Sequence, residues 1–286
     1  MKNIKGGEKI KNISRPKFMV PLILLALTLI FCAGNVSAAN TIYVNATGND
    51  DTGNGSINNP YHTIGKGMSS VSENGTIRLA NGKYSGTGNT ELTISKSRSI
   101  VGESQKGTVI NGQNTNWIFQ IMKGVNFTIQ NLTITKGKKA IKNYGTLNAK
   151  DCTFNGNKAD YGGAIYNNGT ITLLSNCAFN DNEGDRGGTV YNEGIVASLS
   201  GCTFSGNTAR YGGAIHNKNK GTLSVNGSSF ENNRADYGSA IYNEDATLTV
   251  NNSYFANNVA KNKGTDFNGF IYNKKGSITV EDNVFV

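Results

Sequence analysis

One phrase recurs about every 25 residues in the second half of the chain: Gly-Gly-Ala-Ile-Tyr-Asn, then an apolar stretch, then Phe-x-x-Asn. The phenylalanines of this phrase are 25, 25, 26, 25 and 30 residues apart, at Phe154, Phe179, Phe204, Phe230, Phe255 and Phe285. A fixed period of this length is typical of a solenoid, in which one supersecondary unit stacks on copies of itself. The apolar side chains of each repeat must therefore be buried against neighbouring repeats.

Within each repeat, apolar and polar residues alternate. The position five residues before each Phe is always apolar, at Ala149, Leu174, Leu199, Val225, Val250 and Val280. Alternation with a period of two predicts β-strands with one face turned inward, and no repeat carries the 3.6-residue period of a helix. We expect an all-β fold, a single-stranded parallel β-helix with about 25 residues per coil.

Asparagines, cysteines and glycines also stand at fixed positions of the repeat. The asparagines are expected to bond between coils and to accept the left-handed backbone of tight bends. Their two columns are Asn143, Asn167, Asn192, Asn217, Asn243 and Asn157, Asn182, Asn207, Asn233, Asn258. Cys152, Cys177 and Cys202 would stack as small buried side chains without a disulfide. Paired glycines such as Gly212-Gly213 would supply positive φ at another bend.

The N-terminal 38 residues have the composition of an export signal. Six basic residues precede or border an apolar run from 18 to 34, and small residues follow at 36–38. We expect 1–38 to be a signal peptide, or else an uncleaved membrane anchor, and the protein to be extracellular or at the cell surface. Without this segment the net charge falls from +9 to +4, so nucleic-acid binding loses its main support.

The Gly-Gly-Ala-Ile and Phe-x-x-Asn elements at 162–165 and 154–157 resemble the GGAI/FxxN repeat of polymorphic outer-membrane proteins. The same repeat is found in adhesin-like surface proteins of methanogenic archaea. Segments 42–44, 60–64 and 76–84 resemble the opening of pectin-lyase-like β-helix proteins. The resemblance implies a right-handed coil and a place at the cell surface.

Three regions follow from these patterns. After the segment 1–38, residues 39–135 are expected to form an N-terminal cap and irregular β-helix coils, and residues 136–286 the regular repeats. Ile64, Met68 and Val71 suit a short helix with one apolar face, which would close the end of the tube. The last coil has no evident cap of its own, so we expect an open strand edge there.

Two rows of aromatic residues are the candidate binding surface. Strand alternation turns Ile165 inward and the next residue outward, which predicts an exposed row at Tyr166, Tyr191, His216, Tyr242 and Tyr272. A second row at the Gly-Gly bend contains Tyr161, Tyr211 and Tyr237. Flat aromatic faces along a rigid surface suit sugars or extended polymers. The alternative is stacking between coils for stability alone.

Catalysis is the competing hypothesis, because the β-helix fold commonly carries polysaccharide lyases and hydrolases. The candidate residues are Asp160, Asp185 and Arg210, which fall in one column just before the Gly-Gly step. A row of mixed charges facing water explains the same column. No Cys-x-x-Cys occurs and the two histidines are far apart, so we expect no metal and no cofactor.

The sequence therefore favours an exported, non-enzymatic, adhesin-like protein. Its expected partners are glycans or surface proteins of a host or of neighbouring cells, with no nucleic acid, and with a membrane only through an uncleaved N-terminal segment. The alternatives are a polysaccharide lyase or hydrolase and a structural component of a surface layer.

Overall fold

The computed structural model describes residues 40–264 and 267–286. The expected export signal, residues 1–38, lies outside the described residues. Within those ranges the strands form four sheets, and neighbouring strands in them are parallel. Successive coils add successive strands to three long sheets, so the chain winds as an all-β parallel solenoid. The fold predicted from the repeat period is confirmed.

The strand bounds show the regularity of the coils. The ten-stranded sheet contains Thr41–Val44, Thr76–Leu79, Arg98–Gly102, Asn126–Gln130, Thr146–Lys150, Thr170–Ser175, Ile195–Ser200, Thr222–Asn226, Thr247–Asn251 and Ser277–Glu281. The nine-stranded sheet contains Gly82–Ser85, Thr108–Asn111, Thr133–Thr135, Thr153–Asn155, Ala178–Asn180, Thr203–Ser205, Ser229–Glu231, Tyr254–Ala256 and Val284–Phe285. The eight-stranded sheet contains Leu92–Ile94, Phe119–Ile121, Ile141–Asn143, Ile165–Asn167, Val190–Asn192, Ile215–Lys218, Ile241–Glu244 and Ile271–Lys274. A three-stranded sheet contains Thr208–Tyr211, Arg234–Tyr237 and Val259–Asn262.

The register places like residues on like in successive coils. Phe204 lies opposite Phe179 in one neighbouring coil and Phe230 in the other. The ring centroids are 4.7 Å apart in both pairs, with interplanar angles of 9° and 3°. This separation matches the spacing of hydrogen-bonded strands, so the rings stack without distorting the backbone. All three rings are fully buried, and the phenylalanine column is the centre of the core.

Asparagine side chains form two hydrogen-bonded ladders along the solenoid. Nδ2 of Asn207 donates to Oδ1 of Asn233 at 2.9 Å, while Oδ1 of Asn207 accepts from Nδ2 and the backbone N–H of Asn182. In the other ladder, Nδ2 of Asn192 donates to Oδ1 of Asn217 at 2.7 Å. These side chains are buried, and a buried amide costs free energy unless it is hydrogen-bonded. The structural role expected for the asparagine columns is confirmed.

The left-handed backbone falls on other residues than the sequence suggests. No ladder asparagine has a positive φ. In the ladder that contains Asn207, the residue before each asparagine has a positive φ instead: Gly156, Asp181, Gly206, Asn232 and Asn257.

The two glycines of a pair have different roles, whereas both were expected to supply a positive φ. Gly212 has a φ of 68°, whereas Gly213 has no positive φ. A Cβ at Gly213 would overlap the backbone carbonyl oxygen of Ser239 in the next coil. The first glycine therefore supplies the turn, and the second allows two coils to approach closely.

A short helix, Ile64–Ser70, packs against the first strands of the ten-stranded sheet. Thr63 caps its N-terminus, and Nη1 of the buried Arg98 donates to the carbonyl oxygen of Met68 in its last turn. A cation is favourable at this end of a helix because the exposed carbonyls carry partial negative charge. The predicted helix is confirmed. None of the helices in the described part of the chain has the length and apolarity that crossing a membrane requires.

The cysteine column is buried, and its three described thiols, Cys152, Cys177 and Cys202, are free. Hydrogen bonding with the Cys152 thiol and burial raise the pKa of Cys177. Hydrogen bonding with Cys177 and burial likewise raise the pKa of Cys202. Because the thiolate is the reactive form, these side chains are inert packing residues. The expectation that these cysteines stack as small buried side chains is confirmed.

Candidate functional site

Five aromatic residues of the eight-stranded sheet form one column, named here the inner aromatic column: Tyr166, Tyr191, His216, Tyr242 and Tyr272. Tyr242 and Tyr272 stack with ring centroids 5.4 Å apart and an angle of 15°. His216 is edge-on to Tyr242 at 4.8 Å and to Tyr191 at 5.2 Å. The single column expected from the repeat spacing is therefore present.

The expected exposure of this column is wrong for its three central members. Tyr191 is 4% exposed, Tyr242 3% and His216 0%. A second layer covers them, since Tyr161 packs edge-on against Tyr191 with ring centroids 5.1 Å apart, and the ring of Tyr211 lies tilted over Tyr242 at 5.2 Å. Strand alternation correctly indicates that these side chains leave the inward face. It does not indicate that the chain segment just before these strands folds back over them.

Glu193 holds the hydroxyl groups at one end of the inner aromatic column. Its Oε2 accepts a 2.9 Å hydrogen bond from Tyr166, and its Oε1 accepts a 3.0 Å hydrogen bond from Tyr191. Burial raises the pKa of Tyr166 to about 12, and the bond to Glu193 acts in the same direction. The hydroxyls are therefore fixed donors within the protein. This arrangement favours the interpretation of the inner column as packing between coils.

His216 stands where the neighbouring coils have tyrosine. Neither ring nitrogen makes a hydrogen bond within the described residues, and Nε2 lies 3.4 Å from Oε2 of Glu244. Burial lowers the pKa of His216 to about 3, which outweighs the opposing effect of the nearby carboxylate. The imidazole is therefore neutral at pH 7.

The covering layer is a second row, named here the outer aromatic row: Tyr161, Arg186, Tyr211 and Tyr237. The guanidinium carbon of Arg186 lies 5.9 Å from the ring centroid of Tyr161 and 5.3 Å from that of Tyr211. Tyr211 and Tyr237 stack at 5.5 Å with an angle of 8°. Tyr161 is 41% exposed, and the other members are partly exposed. Aromatic faces and a cation alternate here on a surface that solvent reaches.

The carboxylates of the catalytic hypothesis flank the outer aromatic row. The backbone N–H of Asp185 donates to the carbonyl oxygen of Asp160, and that of Arg210 to Asp185, so the three residues lie in successive coils. All three side chains are exposed, and Oδ2 of Asp185 lies 3.7 Å from Nε of Arg186. A water-facing column does not supply the burial that usually tunes a catalytic carboxylate. Catalysis by these residues stays a prediction.

No three His, Cys, Asp or Glu side chains in residues 40–264 and 267–286 lie close enough together to hold a metal ion.

The structure also joins three residues that the sequence analysis did not single out. Lys142 lies one coil before Tyr166 in register, so a lysine ends the inner aromatic column on that side. Its Nζ lies 4.8 Å from the ring centroid of Trp117, and Nζ of Lys139 lies 5.1 Å from that of Tyr166. Extending the repeat register back by one coil from Tyr166 would have placed Lys142 in this column. The irregular spacing of the sequence before residue 140 obscured that relationship.

The Chlamydia polymorphic membrane protein (Chlamydia_PMP) repeat family matches residues 151–168, 201–218 and 227–244. These segments belong to the coils that carry the phenylalanine column and the asparagine ladders. The chain is thus a parallel β-solenoid that carries polymorphic membrane protein repeats, as the GGAI/FxxN phrase indicated. Comparison with curated proteins gives no match.

Solved structures similar to this chain have low identity to it. A pectin methylesterase in complex with a hexasaccharide is 14% identical, with a TM-score of 0.37 over 82% of this chain and 80% of that one. A rhamnogalacturonan lyase is 12% identical, with a TM-score of 0.37 over 87% of this chain and 63% of that one. ORF18 of Geobacillus virus E2 is 15% identical, with a TM-score of 0.36 over 85% of this chain and 62% of that one. This chain spans less than two thirds of the length of the rhamnogalacturonan lyase and of ORF18.

Proposed function

We propose that this protein is an adhesin-like surface protein that holds a glycan or a partner surface along the outer aromatic row, without turnover. The observation that carries this proposal is the continuity of that row across four successive coils, three of which match the polymorphic membrane protein repeat. Tyr161, Tyr211 and Tyr237 each lie within or beside a matched segment, and each reaches solvent.

The physical basis is rigidity. Each tyrosine of the outer row contacts a neighbour in that row and a ring of the inner aromatic column beneath it, as Tyr211 contacts Tyr237 and Tyr242. A ligand that binds such a preorganised surface does not have to order these side chains. Tyrosine combines a large apolar face with a hydroxyl, which suits recognition of polar, ring-containing partners.

Location at the cell surface is part of the same proposal. The matched repeat family is one of membrane proteins by its description, and the first 38 residues have the composition of an export signal. Protease treatment of intact cells tests this part. Loss of the protein without cell lysis is expected, whereas full protection would place the protein inside the cell.

Binding is tested with the full chain on a panel of glycans and on intact cells. The double variant Tyr211→Ala, Tyr237→Ala should weaken retention about tenfold or more, because two stacked contact residues are lost. The matched control is Tyr254→Ala, since Tyr254 is 42% exposed but lies on the nine-stranded sheet. Circular dichroism establishes that each variant keeps the β fold.

Two outcomes would overturn the proposal. Release of product from a polysaccharide, abolished by Asp185→Ala, would make the protein an enzyme. Equal retention by the double variant and the wild type would place any adhesive surface elsewhere, and no retention on any glycan or cell would favour a purely structural role.

A further inference from the structure

A cleft with basic and aromatic walls lies where the regular repeats begin. It has a volume of about 260 Å³ and is lined by Thr115, Asn116, Trp117, Lys138, Lys139, Lys142, Ala159 and Asp160. Three successive coils build it, since the backbone N–H of Lys138 donates to Asn116 and that of Lys139 donates to Lys158. Hydrogen bonds between coils therefore fix the walls relative to one another.

Aromatic rings hold two ammonium groups of the cleft in place. Lys142 lies over Trp117 at 4.8 Å from the ring centroid, and Lys139 lies over Tyr166 at 5.1 Å. A cation–π contact positions a lysine without neutralising its charge. Elsewhere in the described residues, lysines do pair with carboxylates, such as Lys158 with Glu183 at 2.6 Å.

The charge of the cleft is therefore positive. Lys138, Lys139 and Lys142 line it with one carboxylate, Asp160, and none of the three lysines has an ion pair within 4.0 Å among the described residues. Burial lowers the pKa of Lys139, and the positive charge of Lys142 lowers it further, while Asp160 opposes this. An anion bound between the two ammonium groups would relieve their repulsion and raise that pKa.

We infer that this cleft binds a saccharide unit that carries an anionic group, a carboxylate or a sulfate. The ammonium groups of Lys139 and Lys142 bind the anion, and Trp117, which is partly exposed, provides an aromatic wall for the sugar ring. The side chains of Thr115 and Asn116 add hydroxyl and amide groups that can bond to sugar hydroxyls. The cavity is smaller than a typical pocket for a drug-sized molecule, which favours one sugar unit over a larger ligand.

This site is separate from the outer aromatic row. No residue of that row lines the cleft, although Asp160 borders both. The two can therefore fail independently. Variants of Tyr211 and Tyr237 test the row, and variants of Lys139 and Lys142 test the cleft.

The chain contains a reporter for this site, because Trp117 is its one tryptophan. The full-length protein is titrated at low salt with three oligosaccharides of equal length: an oligogalacturonate, a sulfated chondroitin fragment and a neutral maltooligosaccharide. We expect a saturable change in Trp117 emission with at least one acidic sugar and none with the neutral one. The two acidic arms distinguish a carboxylate ligand from a sulfated one.

The test variant is Lys139→Gln, Lys142→Gln, which removes both positive charges and leaves polar, uncharged side chains. Binding should weaken about tenfold or more, since the charge-assisted hydrogen bonds from both ammonium groups to the anion are lost. The matched control is Lys261→Gln, Lys275→Gln, which changes the net charge equally at exposed positions of later coils. The control should bind like the wild type.

Several results would overturn the inference. One is binding of an acidic sugar without a change in Trp117 emission, and another is equal weakening in the test and control variants, which would indicate unspecific attraction. A thymidine oligonucleotide that bound more tightly than both acidic sugars would assign the cleft to nucleic acid instead. No binding of any acidic oligosaccharide at low salt would also reject the site.

Discussion

Nδ2 of Asn207 donates a 2.9 Å hydrogen bond to Oδ1 of Asn233 in the next coil, and both side chains are fully buried. The same bond recurs from coil to coil, so each amide is donor to one neighbour and acceptor from the other. A shift of the coil register would leave several buried amides unpaired at once. The ladder therefore penalises misregister more strongly than apolar packing, which tolerates sliding.

Replacing Asn207 by Ala should lower the free energy of unfolding by about 3–5 kcal/mol, because the partners of its amide lose their hydrogen bonds inside the protein. Urea denaturation followed by circular dichroism measures the change. Asn168→Ala is the control, since this side chain is exposed and should change stability by less than about 0.5 kcal/mol. Equal effects of both substitutions would contradict the structural role of the ladder.

The phenylalanine stack predicts a position-dependent cost of truncation. Phe204→Ala removes a ring that is buried between two others, and should cost about 3–5 kcal/mol. Phe285→Ala should cost clearly less, because Phe285 is partly exposed and stacks on Phe255 alone in its column. Thermal unfolding of the two variants compares them. A larger loss for Phe285→Ala would be incompatible with this packing.

Because His216 is buried as a neutral side chain, we expect the protein to lose stability in mild acid. Its pKa is about 3 in the folded protein against an ordinary value of 6.5, so below pH 6.5 the unfolded chain takes up a proton that the buried imidazole does not. The free energy of unfolding should fall as the pH decreases from 6.5, by about 2 kcal/mol at pH 5. Glu244 does not reverse this trend: burial alone would raise its pKa, but Lys274 and Lys218 lower it, so it stays charged.

The variant His216→Tyr restores the residue found in neighbouring coils and should remove this pH dependence. Urea denaturation at pH 7 and pH 5 compares it with the wild type. Asn168→Ala is the control, because this exposed side chain carries no titratable group and its loss should leave the slope unchanged. A wild-type protein that is equally stable at both pH values would show that His216 is not buried as a neutral group.

The cysteine column predicts chemical inertness. Hydrogen bonding and burial raise the pKa of Cys177 and Cys202, so iodoacetamide at pH 8 should leave both unmodified in the native protein and modify them in urea. Mass spectrometry of peptides measures the modification. Thr172→Cys provides an exposed thiol that should react in the native state. Fast native labelling of Cys177 would contradict the burial of this column.

The repeat period is enough to predict the coil. The nearly constant spacing of Phe204, Asn207 and Gly212 from their counterparts is sufficient to predict a parallel solenoid, because only stacked copies can bury one face of each repeat. It also indicated which columns are structural, and the helix at 64–70 followed from the spacing of its apolar residues. These features depend on period and residue type, which are local properties of the chain.

Which side chains are exposed to solvent depends on how distant parts of the chain pack together. Tyr191 and Tyr211 both look like exposed aromatic residues in the repeat, yet the short strand Thr208–Tyr211 places Tyr211 over the inner aromatic column, and Tyr191 is buried. The cleft between Trp117, Lys139 and Lys142 likewise depends on how irregular coils meet the first regular one. Alternation determines the face of a strand from which a side chain leaves, whereas exposure depends on what the rest of the chain places over that face.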